Sequence, residues 1–396
     1  MFLIDKPYIS DFLIHTIKEN KFKIIATETA TSLINDTSLN WVTEKEAIQL
    51  ASENENTPIY SNSENSISWI ENNLQFSEIP SQIEIFKNKI HFREIIADFY
   101  PNYFFKGVKF EELESVDVSS LKFPLIIKPT VGFFSLGVHK VDNSTEWNGT
   151  ISKIKQEINH IKSYYPLEVL DTSNFIIEEC IEGNEYAVDC YFNKQGEPIV
   201  LNIMHHLFSS GKDVSDRIYS TSKNIIEENL YLIEEFLIKL NAKINLKNFP
   251  IHIEVRIDEK NNLNPIEVNP MRFGGWCTTG DLAWYAYGIN SYEYFMKNQK
   301  PDWETILNSR NTKKYSIVLL DNNSGFNEKE IESFNYSKLL NDFEKPLSLR
   351  KVDFNKFPLF GILFTETTLG KENELETILK SNLKKYIELK KIASPQ

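Results

Sequence analysis

The stretch Ile251–Pro270, IHIEVRIDEKNNLNPIEVNP, decides how the chain is read. Ile251, Ile253, Val255 and Ile257 alternate with His252, Glu254 and Arg256, and further on Ile266 and Val268 alternate with Glu267 and Asn269. A period of two is the mark of half-buried strands, and the polar run between them reads as a turn. If a four-residue loop, Glu259–Asn262, closes the hairpin symmetrically, Glu254 lies opposite Glu267 and His252 opposite Asn269. Like charges in direct register cost a few tenths to about 1 kcal/mol, so the pair calls for a solvated face or a cation. Mg²⁺ suits carboxylate and amide oxygens, with phosphate and water completing its shell. An ordinary antiparallel pair with its polar side in water is the competing reading, and the hairpin alone leaves both open.

The flanks add weight to the cation. PMRFGGWCTTGDL follows Asn269, bringing a fixed cation at Arg272 and two glycines, Gly274 and Gly275, that permit close backbone approach. Upstream, FPLIIKPTVGFFSLGVHKV puts Lys128 at the end of an apolar strand, before a loop containing Gly132, Ser135 and Gly137. A lysine beside such a loop can hold phosphate oxygens by charge and by backbone N–H groups. No GxxxxGK[ST] is present, so this is not a P-loop.

Working outward, MFLI and FKIIAT read as strands flanking a helix through Phe12, Leu13, Ile14 and Ile17, and Thr43 to Glu46 spell a capping box. This small βαβ-like unit lacks GxGxxG, so a packing or substrate-side lobe over residues 1–86 is expected rather than a dinucleotide site. A helical stretch from Ser81 to Phe99 is interrupted near Lys89. Strands are expected at FPLIIKP, NFIIEECI, EYAVDCYF and PIVLNIMH, with an amphipathic helix over about Ile225 to Leu240 before the hairpin. From Tyr315, two strands (YSIVLL and LFGILFTE) and a helix through Leu375, Leu379 and Leu383 suggest a smaller C-terminal α+β unit.

The chain has 396 residues, 41% apolar and 25% charged, enough for two or three packed domains. Its 43 Lys+Arg against 56 Asp+Glu leave −13, which disfavours nucleic acid as a partner but not a single bound phosphate ligand. No run reaches the length of a membrane-spanning helix, and the opening residues lack a signal-peptide pattern, so a soluble chain without membrane contact is expected. Cys180, Cys190 and Cys277 are too few for a disulfide framework and fit a cytoplasmic location.

In order and spacing, IIKP with its Gly/Ser loop, IIEECIEGNEY, HIEVRI and PIEVNPMRFGG resemble the ATP-grasp superfamily, over roughly residues 87 to 300. The resemblance is nearest to the branch of carbamoyl-phosphate synthase, biotin carboxylase and the amino-acid ligases. It implies a mixed α+β and α/β chain: an N-terminal lobe over 1–86, an ATP-grasp domain over 87–310 and a C-terminal lid-like domain over 311–396. Within the grasp, a central lobe would cover about 100–170 and an ATP-binding lobe about 171–310. The implied ligands are ATP and Mg²⁺, with Mn²⁺ as a substitute.

Carried over by position, the resemblance makes Lys89 and Lys128 phosphate-binding, with Arg93 a near competitor for Lys89, and adds Ser135 and Gly137 of the loop. Glu178, Glu179, Cys180 and Ile181 become the adenine hinge, Glu185 a ribose ligand, and Glu254, Glu267 and Asn269 the metal ligands. Many relatives read Asn-Pro-Arg where this chain has Met271, so Arg272 falls one residue late. Arg256 and Arg217 are therefore alternative sources of the cation that steadies an oxyanion.

The activity implied is ADP-forming ligation of a small carboxylate, such as an amino acid, to an amine through an acyl phosphate. A biotin carboxylase-like enzyme and a non-catalytic ATP-binding regulator are the alternatives, and a homodimer is the default assembly. His205, His206, Lys212, Arg217 and Tyr219, in MHHLFSSGKDVSDRIYSTS, form a polar loop that could hold the substrate carboxylate or lie on the surface as scattered charges. If that end is a strand, His205 and His206 point to opposite sides. Arg350, further on, could reach the cleft, although a lone charge there is more often at the surface.

Overall fold

A computed structural model describes residues 1–54, 56–131, 137–161, 171–210 and 215–391. Phe2–Leu3 (β1), Lys23–Ile25 (β2), Asn40–Val42 (β3) and Tyr60–Ser61 (β4) form a sheet of order β3-β2-β1-β4. Both β1–β2 and β1–β4 pair in parallel, as crossover helices demand. The helix Asp11–Glu19 buries Leu13 and Ile17 against the sheet. The capping box is realised: Thr43 Oγ1 accepts the Glu46 N–H at 3.2 Å, and Glu46 Oε2 accepts the Thr43 N–H at 2.8 Å.

The helical stretch breaks where Lys89 suggested. Ile79–Lys87 ends at Asn88, whose Oδ1 accepts the N–H groups of Ile90 and His91 at 3.2 and 3.3 Å and so starts a new helix, Lys89–Ile95. Phe105–Lys109 (β5), Leu125–Val131 (β6), His139–Val141 (β7) and Asp171–Glu179 (β8) then make an antiparallel sheet of order β5-β8-β6-β7. Its apolar face joins Leu125, Ile127 and Val141 to Trp147, Ile151 and Ile154 of the helix Trp147–Ile161.

Asn184–Phe192 (β9), Pro198–Leu207 (β10), Ile218–Ser222 (β11), Phe249–Ile257 (β12), Leu263–Pro270 (β13) and Lys313–Asp321 (β14) run antiparallel in the largest sheet. After Ile331–Phe334 (β15), Lys345–Lys351 (β16) and Leu359–Thr368 (β17) return to it, giving the order β13-β12-β9-β10-β11-β14-β17-β16, while Ile387–Leu389 (β18) pairs with β15. Residues from Lys313 onward therefore share hydrogen-bonded sheet with the hairpin strands, although they build a core of their own around Val318, Phe334, Phe360 and Leu363.

The hairpin register is the expected one: Glu254 faces Glu267 and His252 faces Asn269. The route differs. The last pair is Ile257 with Leu263, so the turn is one residue longer than a symmetric loop, and a bulge at Ile266 restores the register by setting Val255 against Pro265. Asp258 organises the turn, its Oδ1 accepting the N–H groups of Lys260 and Asn262 at 2.8 Å each.

Two expectations are corrected. IYSTS is a strand rather than part of a loop: Tyr219 pairs with His206, and Ser220 with Ser316, whose hydroxyls bond at 2.7 Å. The C-terminal helix spans only Asn373–Leu379, and Leu383 lies beyond it, buried at φ 60°. Arg217 accounts for the early stop, since its guanidinium caps the carbonyls of Ile378 (3.0 Å) and Ser381. Among the described residues no helix is long and apolar enough to cross a membrane.

Candidate active site

The facing carboxylates form the acidic half of the site. Glu254 and Glu267 are 21% and 26% exposed, so neither is freely solvated, and the Asn269 amide donates to Glu267 Oε1 at 3.4 Å. Burial and the charges of Glu267 and Glu185 push the Glu254 carboxyl up to about 7, against the pull of His252. Burial would also raise Glu267, but Lys89 and Lys128 outweigh it and hold that carboxyl below its ordinary value. No three His, Cys, Asp or Glu side chains cluster as a metal site among the described residues. Two carboxylates and one amide oxygen, the strained Glu254 among them, nevertheless fit a hard divalent cation whose remaining ligands are phosphate oxygens.

The basic half comes from the helix Lys89–Ile95 and from Lys128, which lies in the middle of β6 rather than at a strand end as the sequence suggested. Lys89 Nζ lies 3.6 Å from Glu267 Oε2. Lys128 Nζ and Arg93 Nε grip opposite oxygens of Glu178, at 2.6 and 2.8 Å. Burial raises the Glu178 carboxyl, but the two cations dominate and hold it at about 2. Arg93 also donates to the carbonyls of Pro265 (2.6 Å) and Ile266 (3.5 Å), the groups displaced by the hairpin bulge. Arg93 is therefore a buried strut between β8 and β13, and Lys89 is the basic residue nearest the facing carboxylates on that helix. Glu178 anchors these cations with its side chain.

At the hinge, the Glu179 N–H donates to Phe104 O at 3.0 Å, the Glu179 carbonyl accepts the Tyr103 hydroxyl at 3.0 Å, and the Cys180 N–H donates to Pro124 O at 3.2 Å. The Ile181 carbonyl accepts Arg256 Nη1 at 2.6 Å. Glu185 is gripped from two sides, by His206 Nδ1 at 2.8 Å and Arg256 Nε at 3.0 Å. The turn before it needs Gly183: φ is 115°, and a Cβ there would lie 2.4 Å from Ile257 O. Gly137, at φ 70°, lies against Pro129, whereas Ser135 and Lys212 lie outside the described residues.

Of the three candidate arginines, Arg272 pairs with Glu64 and is the one within electrostatic reach of Glu267. Arg256 serves the hinge, and Arg217 is committed to Asp321 at 2.7 Å and to the C-terminal carbonyls. Met271 redirects the chain for Arg272: its φ is 66°, its N–H donates to Pro250 O at 2.8 Å, and its carbonyl accepts the Ser61 N–H at 2.8 Å. Arg272 then meets Glu64 at 2.5 Å, and Lys87 takes the other oxygen of Glu64 at 2.5 Å. Sequence reading missed Glu64 and Lys87, which sit in a polar segment and on a helix with no motif to mark them. It also missed Asp189, although a single acid inside the apolar run AVDCYF was a signal. His205 and His206 diverge as a strand requires: His206 is buried between Glu185 and Tyr219, while His205 stacks on Tyr186. Arg350 is half-buried rather than at the surface, paired with Asp281 and donating to Trp276 O at 3.1 Å.

A family profile described as an ATP-grasp domain matches residues 121–280. No curated protein sequence matches the chain. Among solved structures, an L-amino acid ligase from Bacillus licheniformis is similar over 99% of this chain and 98% of its own, with TM-score 0.68 and 16% identity. A biotin carboxylase from Campylobacter jejuni covers 92% of this chain and 87% of its own, with TM-score 0.62 and 13% identity. An N5-carboxyaminoimidazole ribonucleotide synthetase from Thermotoga maritima covers 98% of both, with TM-score 0.62 and 15% identity. These likenesses concern the fold. Residues 121–280 are an ATP-grasp domain, and the chain has the fold of the ATP-grasp superfamily.

Proposed function

We propose that the protein is an ADP-forming carboxylate–amine ligase acting on small molecules, with an acyl phosphate as intermediate. The observation that carries this reading is the facing pair Glu254 and Glu267, with Lys89 at 3.6 Å from Glu267. Glu254, Glu267 and Asn269 would hold Mg²⁺, which supplies charge neutralisation and polarises phosphate oxygens when bound. Lys89 and Lys128 would receive the phosphate tail, and residues 179–181 with Glu185 the nucleoside. A carboxylate substrate takes the γ-phosphoryl group and ADP leaves. The amine then attacks the acyl carbon, phosphate departs with the C–O bond electrons, and the amine gives up a proton. Arg272, paired with Glu64 and within electrostatic reach of Glu267, would steady the oxyanion of that second step. Likeness in fold to an L-amino acid ligase supports amino acids as the first substrates to try.

The test is ADP release with Mg²⁺ and ATP against pooled amino acids, other carboxylates and amines, with mass spectrometry of active pools. Turnover requiring both acid and amine, and a product one water lighter than their sum, is the expected result. Turnover with bicarbonate and free biotin instead would make it a carboxylase. Nucleotide binding without ADP in any pool, bicarbonate and biotin included, would favour a regulator.

A further inference from the structure

Asn202, Asp189, His252 and Asn269 stand in one row across four adjacent strands of the large sheet, β10, β9, β12 and β13. Two residues along each strand, Ala187, Glu254 and Glu267 form the next row on the same face. Asp189 and Asn202 are fully buried, and Asp189 Oδ2 with both polar atoms of the Asn202 amide has no partner among the described residues. Buried polar groups are normally hydrogen-bonded, so this row asks for a use.

The use is visible in what Asp189 holds. Its Oδ1 accepts His252 Nδ1 at 2.7 Å and the Gly274 N–H at 3.1 Å. His252, itself buried, presents its other nitrogen, Nε2, to Glu254 Oε1 at 3.8 Å. A carboxylate thus faces each ring nitrogen, so the imidazole cannot rotate without leaving Asp189 uncompensated. Glu254 faces Glu267 across the hairpin, and His252 Nε2 lies on its other side, so the imidazole limits where that carboxylate can settle.

We propose that Asp189 and His252 are positioning residues of the metal–nucleotide site, fixing the Glu254 carboxylate before metal binds and tying it to the turn at Gly274. The inference rests on the ligase reading, since Glu254 is a metal ligand only within it. Outer partners that orient a ligand typically contribute 10–100-fold to metal affinity. Gly274 also donates to Thr279 Oγ1 at 2.7 Å, so Asp189 joins the hairpin to the start of the helix Thr278–Tyr287.

The experiment is a Mn²⁺ titration followed by electron paramagnetic resonance, on full-length protein saturated with a non-hydrolysable ATP analogue. Asp189→Asn keeps the shape of the acceptor and removes its charge, and His252→Gln removes the imidazole. Both are expected to weaken Mn²⁺ binding by about 10–100-fold while the analogue's affinity in EDTA is unchanged. A purely structural role would lower thermal stability and affect both affinities together. Should Asp189→Asn fail to fold, His252→Gln carries the test. Wild-type Mn²⁺ affinity in the folded variants would overturn the inference alone, whereas no Mn²⁺–nucleotide binding by the wild-type protein would overturn the ligase reading and this inference with it.

Discussion

Arg272 and Glu64, 208 positions apart, form an ion pair that is only about a tenth exposed and joins the segment after β4 to the turn after the Glu254–Glu267 hairpin. Lys87 shares the same carboxylate, so Glu64 compensates two cations at once. Glu64→Gln leaves both without a counter-charge in a poorly solvated place, and breaking a buried pair in this way costs about 3 kcal/mol. Urea unfolding at neutral pH measures it. A change below about 0.5 kcal/mol would mean that the cluster is solvated and that Arg272 is not held by it.

Glu267→Gln removes one of the facing carboxylates and the partner of Lys89. Metal-dependent ATP turnover is expected to fall by about 100-fold or more, since phosphoryl transfer relies on metal positioning. Circular dichroism should be unchanged, because an amide is isosteric and Glu267 is partly exposed. Wild-type-like turnover in a folded variant would remove Glu267 from the metal site.

The parts of the site legible in the sequence were those written within one or two strands. Alternation about Glu254 and Glu267 gave the register directly, even though the turn length was off by one residue and a bulge corrected it. Glu64, Lys87 and Asp189 were not legible, because their partners are remote in sequence: Glu64 meets Arg272, and Asp189 meets His252 and Gly274. Arg217 shows the converse. Its place beside a polar loop suggested a ligand, but Ile218–Ser222 folds as a strand and its guanidinium turns to Asp321. The continuation of the large sheet past Lys313 was hidden for the same reason, since strand order is set by pairings that local periodicity does not carry.

Lys128 and Arg93 both bind Glu178, but their substitutions should separate. Arg93→Met also strips the donors from the Pro265 and Ile266 carbonyls, so its main effect should be a loss of about 3 kcal/mol of stability. Lys128→Met leaves Glu178 paired to Arg93 and removes a charge from the middle of β6, so nucleotide affinity should drop more than stability. Isothermal titration with ATP beside urea unfolding of each variant tests the contrast. Equal losses of affinity in both would place Arg93 on the phosphates too.

His205 gives the fold a dependence on pH. Burial, then the charges of Lys314 and His206, lower its imidazole from 6.5 to about 4. Below its ordinary value the unfolded chain takes up a proton that the folded chain refuses, so stability falls as pH drops through that window. With allowance for partial exposure, the loss is about 1 kcal/mol at a pH of about 5 relative to neutrality. His205→Gln should remove that part of the slope, visible in urea midpoints at the two pH values. An identical slope in the variant would assign it to other groups.

Gly274 is constrained by proximity rather than by backbone angle. Its φ is −55°, open to any residue, yet a Cβ would fall 2.3 Å from Thr279 Cγ2 and 2.4 Å from Thr279 Oγ1. Gly274→Ala must therefore displace Thr279, breaking the 2.7 Å bond from the Gly274 N–H and disturbing the one to Asp189. Overpacking of this size costs about 1–3 kcal/mol. Thr279→Ala in the same chain removes the two nearest atoms and leaves only Cβ, at 2.9 Å, so the double variant should be less destabilised than the two single losses added. A double-mutant cycle by thermal unfolding reads the coupling directly, and simple additivity would show that the turn relaxes around the methyl group without moving Thr279.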